Sequence, residues 1–204
     1  LWNAARFLEM NACQRVAGFD PSRNRLAVNR WIVGATGRAV AAVTAHIEDY
    51  KFNEAANAAY DFVWGTFCDW YVEFAKPVFM GEDEAAKREA QACAAYVLEQ
   101  IYKLMHPFMP FITEELWHKL GARPYELILA QWPAPEAEVS KEATDAIDWV
   151  IDLTTNTRSA KNELGIAPGA KLAAYLAAPS DVATRTIERS SAAIERLARL
   201  TPVT

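Results

Sequence analysis

The sequence predicts a mainly α-helical fold, an antiparallel helix bundle followed by a small α/β appendage. As far as Leu120, apolar side chains recur at intervals of three or four residues, the period of amphipathic helices. After Gly121 this pattern gives way to a short apolar run and a proline-rich stretch. The chain has 204 residues, is 52% hydrophobic and contains 7 Trp, 7 Tyr and 9 Phe, enough to bury a substantial core.

The first two helices are separated by a turn. The periodic residues of the first helix are Trp2, Ala5, Phe7, Met10 and Cys13. Gly18 and the turn Asp20-Pro21 are expected to end it. A second helix is predicted from Leu26 to Tyr50, and its two internal glycines suggest close packing, because each costs roughly 1 kcal/mol of helix propensity.

The third helix has the clearest periodicity, and its mostly aromatic face is predicted to be buried. The face consists of Phe52, Ala56, Tyr60, Val63, Phe67, Trp70 and Phe74. Pro77 and Gly81 are expected to end this helix. A fourth helix follows from Glu84 to Met105, and a short helix restarts near Thr113. Four main helices with short connections predict an antiparallel bundle.

Three regions are predicted along the chain. Residues 1–122 form the helical bundle, 123–139 form an extended segment with a proline-rich linker, and 140–204 form a partial α/β subdomain. In the last region we expect a helix from Ser140 to Leu164, a strand from Lys171 to Ala177 and a helix from Ser180 to Leu200.

Cysteine usage and hydropathy indicate a cytoplasmic location. The three cysteines lack Cys-x-x-Cys spacing and are expected to be reduced and mostly buried. No apolar run approaches the roughly 18 residues of a membrane span, so no membrane partner is expected. The chain begins with Leu1 and not with Met, which fits a piece of a longer protein.

Positive charge is concentrated at the start of the chain, although the net charge is −5. Residues 1–38 carry six arginines against Glu9 and Asp20 and have a net charge of +4, whereas residues 39–204 have a net charge of −9. A basic region of this kind is typical of RNA binding, because backbone phosphates require cations. From composition alone, a solvated helix face that happens to be basic remains an equal alternative.

Three dense strings resemble the valyl-tRNA synthetase family. They are Leu1-Trp2-Asn3-Ala4-Ala5-Arg6-Phe7, Phe67-Cys68-Asp69-Trp70-Tyr71-Val72-Glu73 and the aromatic-proline string from His106 to Trp117. The last is shared by the class I synthetases for valine, isoleucine, leucine, methionine and cysteine. The segment from Tyr60 to Lys76, which contains the Phe67 string, and residues 158–166 resemble the valine enzymes in particular.

The resemblance implies the anticodon-binding domain of a class I synthetase and an incomplete α/β appendage. The expected partners are the anticodon loop of tRNA(Val) and the catalytic and C-terminal parts of the same enzyme; DNA is not expected. ATP and Mg²⁺ would serve the parent enzyme, and no cofactor is expected in this fragment. The ATP-binding signatures His-Ile-Gly-His and Lys-Met-Ser-Lys-Ser are absent from the sequence, so no catalytic residue is expected.

The resemblance assigns anticodon contacts to Asn3, Arg6 and Phe7, with Arg30 as a further candidate. Asn3, Arg6 and Phe7 lie within about one helical turn, which suits hydrogen bonding to base edges and stacking on an unpaired base. The bases implied are the middle and third of the valine anticodon, A and C. Judged from the residues alone, the favoured alternative is that Phe7 is a core residue and Arg6 a solvated surface group.

Three residues of a later helix, Arg158, Lys161 and Asn162, are candidates for contact with the tRNA backbone. The alternative is that they form the polar face of a surface helix. No metal site is expected. Glu115 and His118 form a single Glu-x-x-His pair, whereas di-iron bundles need two such pairs and two more glutamates.

Two alternatives remain open at the level of the sequence. A non-catalytic helical scaffold that binds proteins would suit the acidic remainder of the chain and would expose a large apolar patch. A synthetase for isoleucine or leucine would keep the family but change the amino acid, and the string Phe67 to Tyr71 argues against it.

Overall fold

The structure is a computed structural model that describes residues 1–134, 140–177 and 180–201. The chain divides into two compact units, Leu1–Thr144 and Asp145–Thr204. The helices are α1 Trp2–Met10, α2 Ala27–Glu48, α3 Phe52–Asp61, α4 Val72–Met80, α5 Glu84–Met105, α6 Pro110–Lys119, α7 Lys141–Glu163 and α8 Asp181–Leu197. A π-helical segment, Phe62–Tyr71, joins α3 to α4, and single 3₁₀ turns lie at Pro21–Arg23 and Leu127–Leu129. The predicted mainly α-helical bundle is confirmed.

The core of the first unit lies around α2 and α5. α2 packs against α3, the π-helical segment and α5, while α1 packs against α5 and α6. Ile32, Val43, Phe67, Leu98 and Ile101 are among the side chains that are 0% or 1% exposed. Burying an aliphatic or aromatic side chain of this size stabilises the folded state by about 1.5 to 3 kcal/mol relative to leaving it exposed. This burial is therefore a main source of the stability of the bundle.

The third predicted helix differs from expectation in its interior. The helical path continues from Phe52 to Met80, and Pro77 lies inside α4 instead of ending it. In the π-helical segment the hydrogen bonds span five residues, so the turn widens and the side-chain direction shifts relative to an α-helix. The predicted aromatic face is only partly buried: Phe67 is inaccessible, whereas Phe52 and Tyr60, on α3 before this segment, are 57% and 54% exposed.

A hydrogen-bond network holds the first turn of α2 against the π-helical segment and α5. The Tyr71 hydroxyl donates to Asn29 Oδ1 at 3.0 Å, and Asn29 Nδ2 donates to Glu89 Oε1 at 2.9 Å. The same carboxylate oxygen accepts the backbone N–H groups of Arg25 and Leu26 at 3.0 and 2.9 Å. Glu89 thus satisfies donors at the start of α2, and its negative charge is favourable at a helix N-terminus.

The predicted extended segment contains a 3₁₀ turn, Leu127–Leu129. Glu114 of α6 anchors this turn, because its carboxylate accepts the N–H of Leu127 at 2.6 Å and that of Ile128 at 3.3 Å. Part of the predicted linker, residues 135–139, lies outside the described residues. None of the described helices combines the length and apolarity needed to cross a membrane.

In the second unit the predicted strand from Lys171 to Ala177 is wrong. Within the described residues, Leu172 forms one isolated parallel bridge with Leu200. The Leu172 N–H donates to the carbonyl of Arg199 at 3.1 Å, and the Thr201 N–H donates to the Leu172 carbonyl at 2.8 Å. A strand requires a paired neighbour along its length, and among the described residues the backbone pairing of this segment is limited to this one bridge.

Candidate nucleic-acid interface

Helix α1 presents one face to its neighbours and the opposite face to solvent. Ala5 and Leu8 are buried, whereas Asn3 and Arg6 are exposed. At about 100° per residue, Phe7, Asn3, Arg6 and Trp2 follow one another around an arc of about 140° on the side opposite the buried residues. We call these four residues the α1 face. It brings together the amide, guanidinium and ring that the sequence selected, and it adds Trp2, which is 44% exposed.

Phe7 lies at one edge of the α1 face and is half-buried. Its ring centroid is 6.3 Å from that of Phe79 on α4, and Lys76 Nζ, also on α4, is 5.5 Å from the Phe7 centroid. Lys76 is also paired with Glu73 on the same helix. Phe7 is therefore neither a core residue nor a freely projecting ring, and its role in stacking a base stays a prediction.

Trp2 lies at the other edge of the α1 face, where Lys119 of α6 covers it. Lys119 Nζ is 4.4 Å from the Trp2 ring centroid and 2.8 Å from Glu115 Oε1. A small cavity of about 190 Å³ adjoins this edge and is lined in part by Arg6 and Glu9. Lys76 and Lys119 could not be found from the sequence, because both reach α1 from helices far along the chain.

Arg30 does not belong to the α1 face. It lies in the first turns of α2 and is half-buried, and its Nε atom is buried without a hydrogen-bond partner in the part of the chain that the structure describes. Its neighbour Trp31 is 3% exposed and meets Phe74 edge-on at 6.3 Å, as a core residue does. An RNA contact for Arg30 stays a prediction that the geometry of α1 does not support.

The predicted tRNA-backbone contact of Lys161 stays a prediction that the structure does not favour. Lys161 is 4% exposed, and its ammonium donates to the carbonyls of Ala170, Ala198 and Arg199 at 2.8, 3.0 and 3.4 Å. A buried ammonium with its donors occupied in this way is not available to a phosphate.

Arg158 has a comparable structural role, since its Nη2 donates to the Leu197 carbonyl at 3.1 Å. Together with Lys161 it satisfies carbonyl groups at the C-terminus of α8, where positive charge is favourable. Asn162 is exposed. Its contact with tRNA, like that of Arg158, stays a prediction.

The Glu-x-x-His pair considered in the sequence is not the group that the fold assembles. Glu114, His118 and Glu126 instead bring ligand-type atoms within 4.8 Å of one another. His118 Nε2 lies 2.7 Å from Glu126 Oε2, and this hydrogen bond lowers the pKa of the Glu126 carboxyl. Since Glu114 anchors the 3₁₀ turn, these contacts together tie the segment after α6 to α6 itself.

The three cysteines are free thiols, and two of them are buried. Burial raises the pKa of both Cys13 and Cys93 to about 12, so at neutral pH neither forms the reactive thiolate. Burial also raises the pKa of Cys68, which is only half-buried. The expectation that the cysteines are mostly buried is confirmed.

We expect a maleimide at neutral pH to label Cys68 first and to leave Cys13 and Cys93 unmodified until the chain unfolds. Mass spectrometry of peptides from native and urea-unfolded protein checks this order. A Cys68→Ser variant provides the control and should show almost no labelling in the native state. Rapid native labelling of Cys93 would contradict its complete burial on α5.

Comparison with known proteins identifies the family. Residues 29–176 match the family described as the anticodon-binding domain of tRNA ligase, and the chain belongs to this family. The α1 face precedes the matched segment.

Curated relatives extend over nearly the whole chain. Valine–tRNA ligase of Brucella suis biovar 1 (strain 1330) is 50% identical over 98% of this chain and 22% of its own length. The valine–tRNA ligases of Rhizobium meliloti (strain 1021) and Bartonella henselae (strain ATCC 49882 / DSM 28221 / CCUG 30454 / Houston 1) are 48% and 43% identical over 98% of this chain. The chain spans about a fifth of the length of these relatives. The predicted resemblance to valyl-tRNA synthetases is confirmed, and these names favour valine over isoleucine or leucine.

Proposed function

We propose that this chain is the tRNA-recognition part of a valine–tRNA ligase and that it binds the anticodon loop of tRNA(Val). The observation that carries the proposal is the α1 face, which has an exposed amide, an exposed guanidinium and a half-buried ring on a helix that packs against α5 and α6 of the anticodon-binding domain. The whole enzyme would join valine to its tRNA with ATP and Mg²⁺ in the cytoplasm. This chain would supply binding, while catalysis and any cofactor would belong to other parts of the enzyme.

The chemistry of the α1 face suits unpaired bases. The Arg6 guanidinium offers a planar fork of N–H donors, and the Asn3 amide offers both a donor and an acceptor. Unstacked loop bases expose their Watson–Crick edges to such groups and stack on aromatic rings. We assign Arg6 and Asn3 to the edges of the middle and third anticodon bases, A and C, and Phe7 to stacking.

The charge distribution supports a role in binding RNA. The first 38 residues have a net charge of +4 in a chain whose net charge is −5. The phosphates of an RNA would therefore be attracted to these N-terminal residues. Phosphate contacts release counterions, so affinity should fall steeply as salt rises.

Binding to a labelled anticodon stem-loop of tRNA(Val) at low salt tests the proposal. Fluorescence anisotropy should give a higher affinity for the intact loop than for a loop with its middle base replaced, by about tenfold, since a lost base-edge pair costs about 1 to 3 kcal/mol. An anticodon stem with a scrambled loop controls for binding to the duplex. Equal affinity for all three RNAs would contradict anticodon recognition by this chain.

A protein-binding scaffold remains the second candidate because aromatic side chains are exposed near α3. Tyr50, Phe52 and Tyr60 are 82%, 57% and 54% exposed. Exposed apolar patches often mark protein interfaces. A protein contact of this kind would depend on those three aromatics and only weakly on salt, whereas RNA binding would depend on the α1 face and strongly on salt.

A further inference from the structure

We propose that Lys76 and Lys119 are phosphate-binding residues that hold the backbone of bound single-stranded RNA at the two edges of the α1 face. This inference rests on the proposed function, because it concerns the same surface. It adds two contacts from helices other than α1 and assigns them to the RNA backbone instead of the bases.

The geometry places one lysine at each edge of the α1 face. Phe7 is at one end of the arc, beneath Lys76 Nζ at 5.5 Å from its ring centroid. Trp2 is at the other end, beneath Lys119 Nζ at 4.4 Å. Asn3 and Arg6 lie between them. A strand whose bases contact the middle of this face must carry its phosphates past its edges, where the two ammonium groups lie.

Both ammonium groups are accessible and have donors to spare. The side chains of Lys76 and Lys119 are 32% and 42% exposed. Each is paired with one carboxylate on its own helix, Glu73 or Glu115, and an ammonium has three N–H donors. Solvated ion pairs of this type contribute little, so a phosphate oxygen can share or displace the carboxylate.

The ring contacts explain how each lysine is held ready. A cation over an aromatic face is attracted to the ring, which restricts a long side chain that would otherwise sample many rotamers. A lysine ammonium is a compact point charge without the planar fork of arginine, so it suits a phosphate better than a particular base edge. Base discrimination therefore belongs to Arg6 and Asn3, and backbone attraction to the lysines.

The salt dependence of stem-loop binding by this chain tests the assignment. For single-stranded RNA, each lost phosphate contact should reduce the slope of log affinity against log salt by about 0.7. We expect that reduction for Lys76→Met and for Lys119→Met, and about twice that for the double variant. The ratio of affinities for the intact loop and the loop with its middle base replaced should stay unchanged.

Two controls separate a specific contact from a general loss of charge or of fold. Lys51→Met removes an ammonium that also pairs with a carboxylate, Asp49 at 3.0 Å, between α2 and α3, and it should leave the slope unchanged. Lys76→Arg and Lys119→Arg keep the positive charge and should retain the slope of the unmodified chain. Thermal unfolding of every variant verifies that the bundle is intact.

The outcomes distinguish this inference from the proposed function. If the unmodified chain prefers the intact loop but both lysine variants keep its salt slope, the lysine assignment is overturned and anticodon recognition stands. The same holds if Lys51→Met reduces the slope equally. A loss of middle-base preference in a lysine variant would assign that lysine to base reading and would also overturn the phosphate role. If the unmodified chain shows no preference, the proposed function fails and the lysine contacts fail with it.

Discussion

Replacing Glu99 by Gln is expected to lower the free energy of unfolding of the first unit by about 3 kcal/mol, the scale observed when one partner of a buried ion pair is removed. Glu99 lies on α5, and 16% of its side chain is exposed. Its carboxylate forms ion pairs with Arg123 Nη2 at 2.7 Å, Lys103 Nζ at 3.3 Å and Arg15 Nε at 3.4 Å. It is the carboxylate that these three cations share. Glutamine keeps the shape of the side chain but removes its charge.

Arg123 makes this loss severe because its side chain is 2% exposed. Its guanidinium lies 3.6 Å from the Trp117 ring centroid, and Nη1 donates to the Trp117 carbonyl at 2.6 Å. Without Glu99, a buried guanidinium keeps these two contacts but loses its counter-charge. The expected cost therefore arises from the cation left behind as much as from the bond that is removed.

Urea unfolding followed by tryptophan fluorescence measures this effect. Glu84→Gln is the matched control, because Glu84 lies on the same helix, is 64% exposed and pairs with Lys87 and Arg88 at 3.8 and 4.0 Å. That change should cost less than about 1 kcal/mol, as solvated ion pairs do. Similar midpoints for the two variants would show that the Glu99 network is as weak as a surface pair.

Replacing Lys161 by Met is expected to destabilise the second unit by about 2 kcal/mol, within the range for hydrogen bonds to charged groups. Methionine can fill much of the volume of the lysine stem. Methionine cannot donate to the carbonyls of Ala170, Ala198 and Arg199, which accept hydrogen bonds from the Lys161 ammonium in the unmodified chain. Buried carbonyls that lack a hydrogen-bond donor lower the stability of the fold, even where apolar packing is preserved.

Amide hydrogen exchange can measure this loss separately for each unit. In Lys161→Met, exchange should accelerate in α7 and α8, while amides of α2 and α5 keep their protection, because local stability follows the contacts of each cooperative unit. Asn162→Ala changes the next residue, which is exposed, and should have little effect. Equal protection in the two variants would contradict a structural role for the Lys161 ammonium.

The helices could be predicted from the sequence, whereas one feature inside them could not. Burial on one side of a helix imposes a period of three to four residues, and that period is visible between Phe52 and Phe74. The π-helical segment, Phe62–Tyr71, lies inside this pattern. Its wider turn changes the angle between the side chains before it and those after it, so one α-helical period does not describe both. Phe52 and Tyr60, on α3 before this segment, are exposed although the pattern predicted burial.

The local hydrophobic pattern could not predict interactions between segments that are far apart in the sequence. The predicted strand from Lys171 to Ala177 depended on a partner that the local sequence does not reveal. Lys161 is polar and lies on a helix, and these properties are the same whether a lysine faces solvent or the carbonyls that follow another helix. Its burial follows from where Ala198 and Arg199 lie, 37 and 38 residues further along the chain.

The candidate site divides in the same way. The resemblance assigned the anticodon contacts to Asn3, Arg6 and Phe7, and spacings of three and four residues place these side chains side by side on any helix. Their proximity needs only local geometry, and Asn3 and Arg6 are exposed. Lys76 and Lys119 come from α4 and α6, so their approach to α1 depends on the packing of the whole bundle.

The most direct test of anticodon recognition is a double-mutant cycle between Arg6 and the middle anticodon base. Arg6→Ala and the base replacement are each measured alone and then together with the tRNA(Val) stem-loop at low salt. If Arg6 reads that base, each single change lowers affinity by about tenfold and the combined change lowers it little further. Arg38→Ala removes another exposed arginine of the basic segment and should leave the base preference intact. Additive losses from Arg6→Ala and the base replacement would contradict anticodon reading by the α1 face.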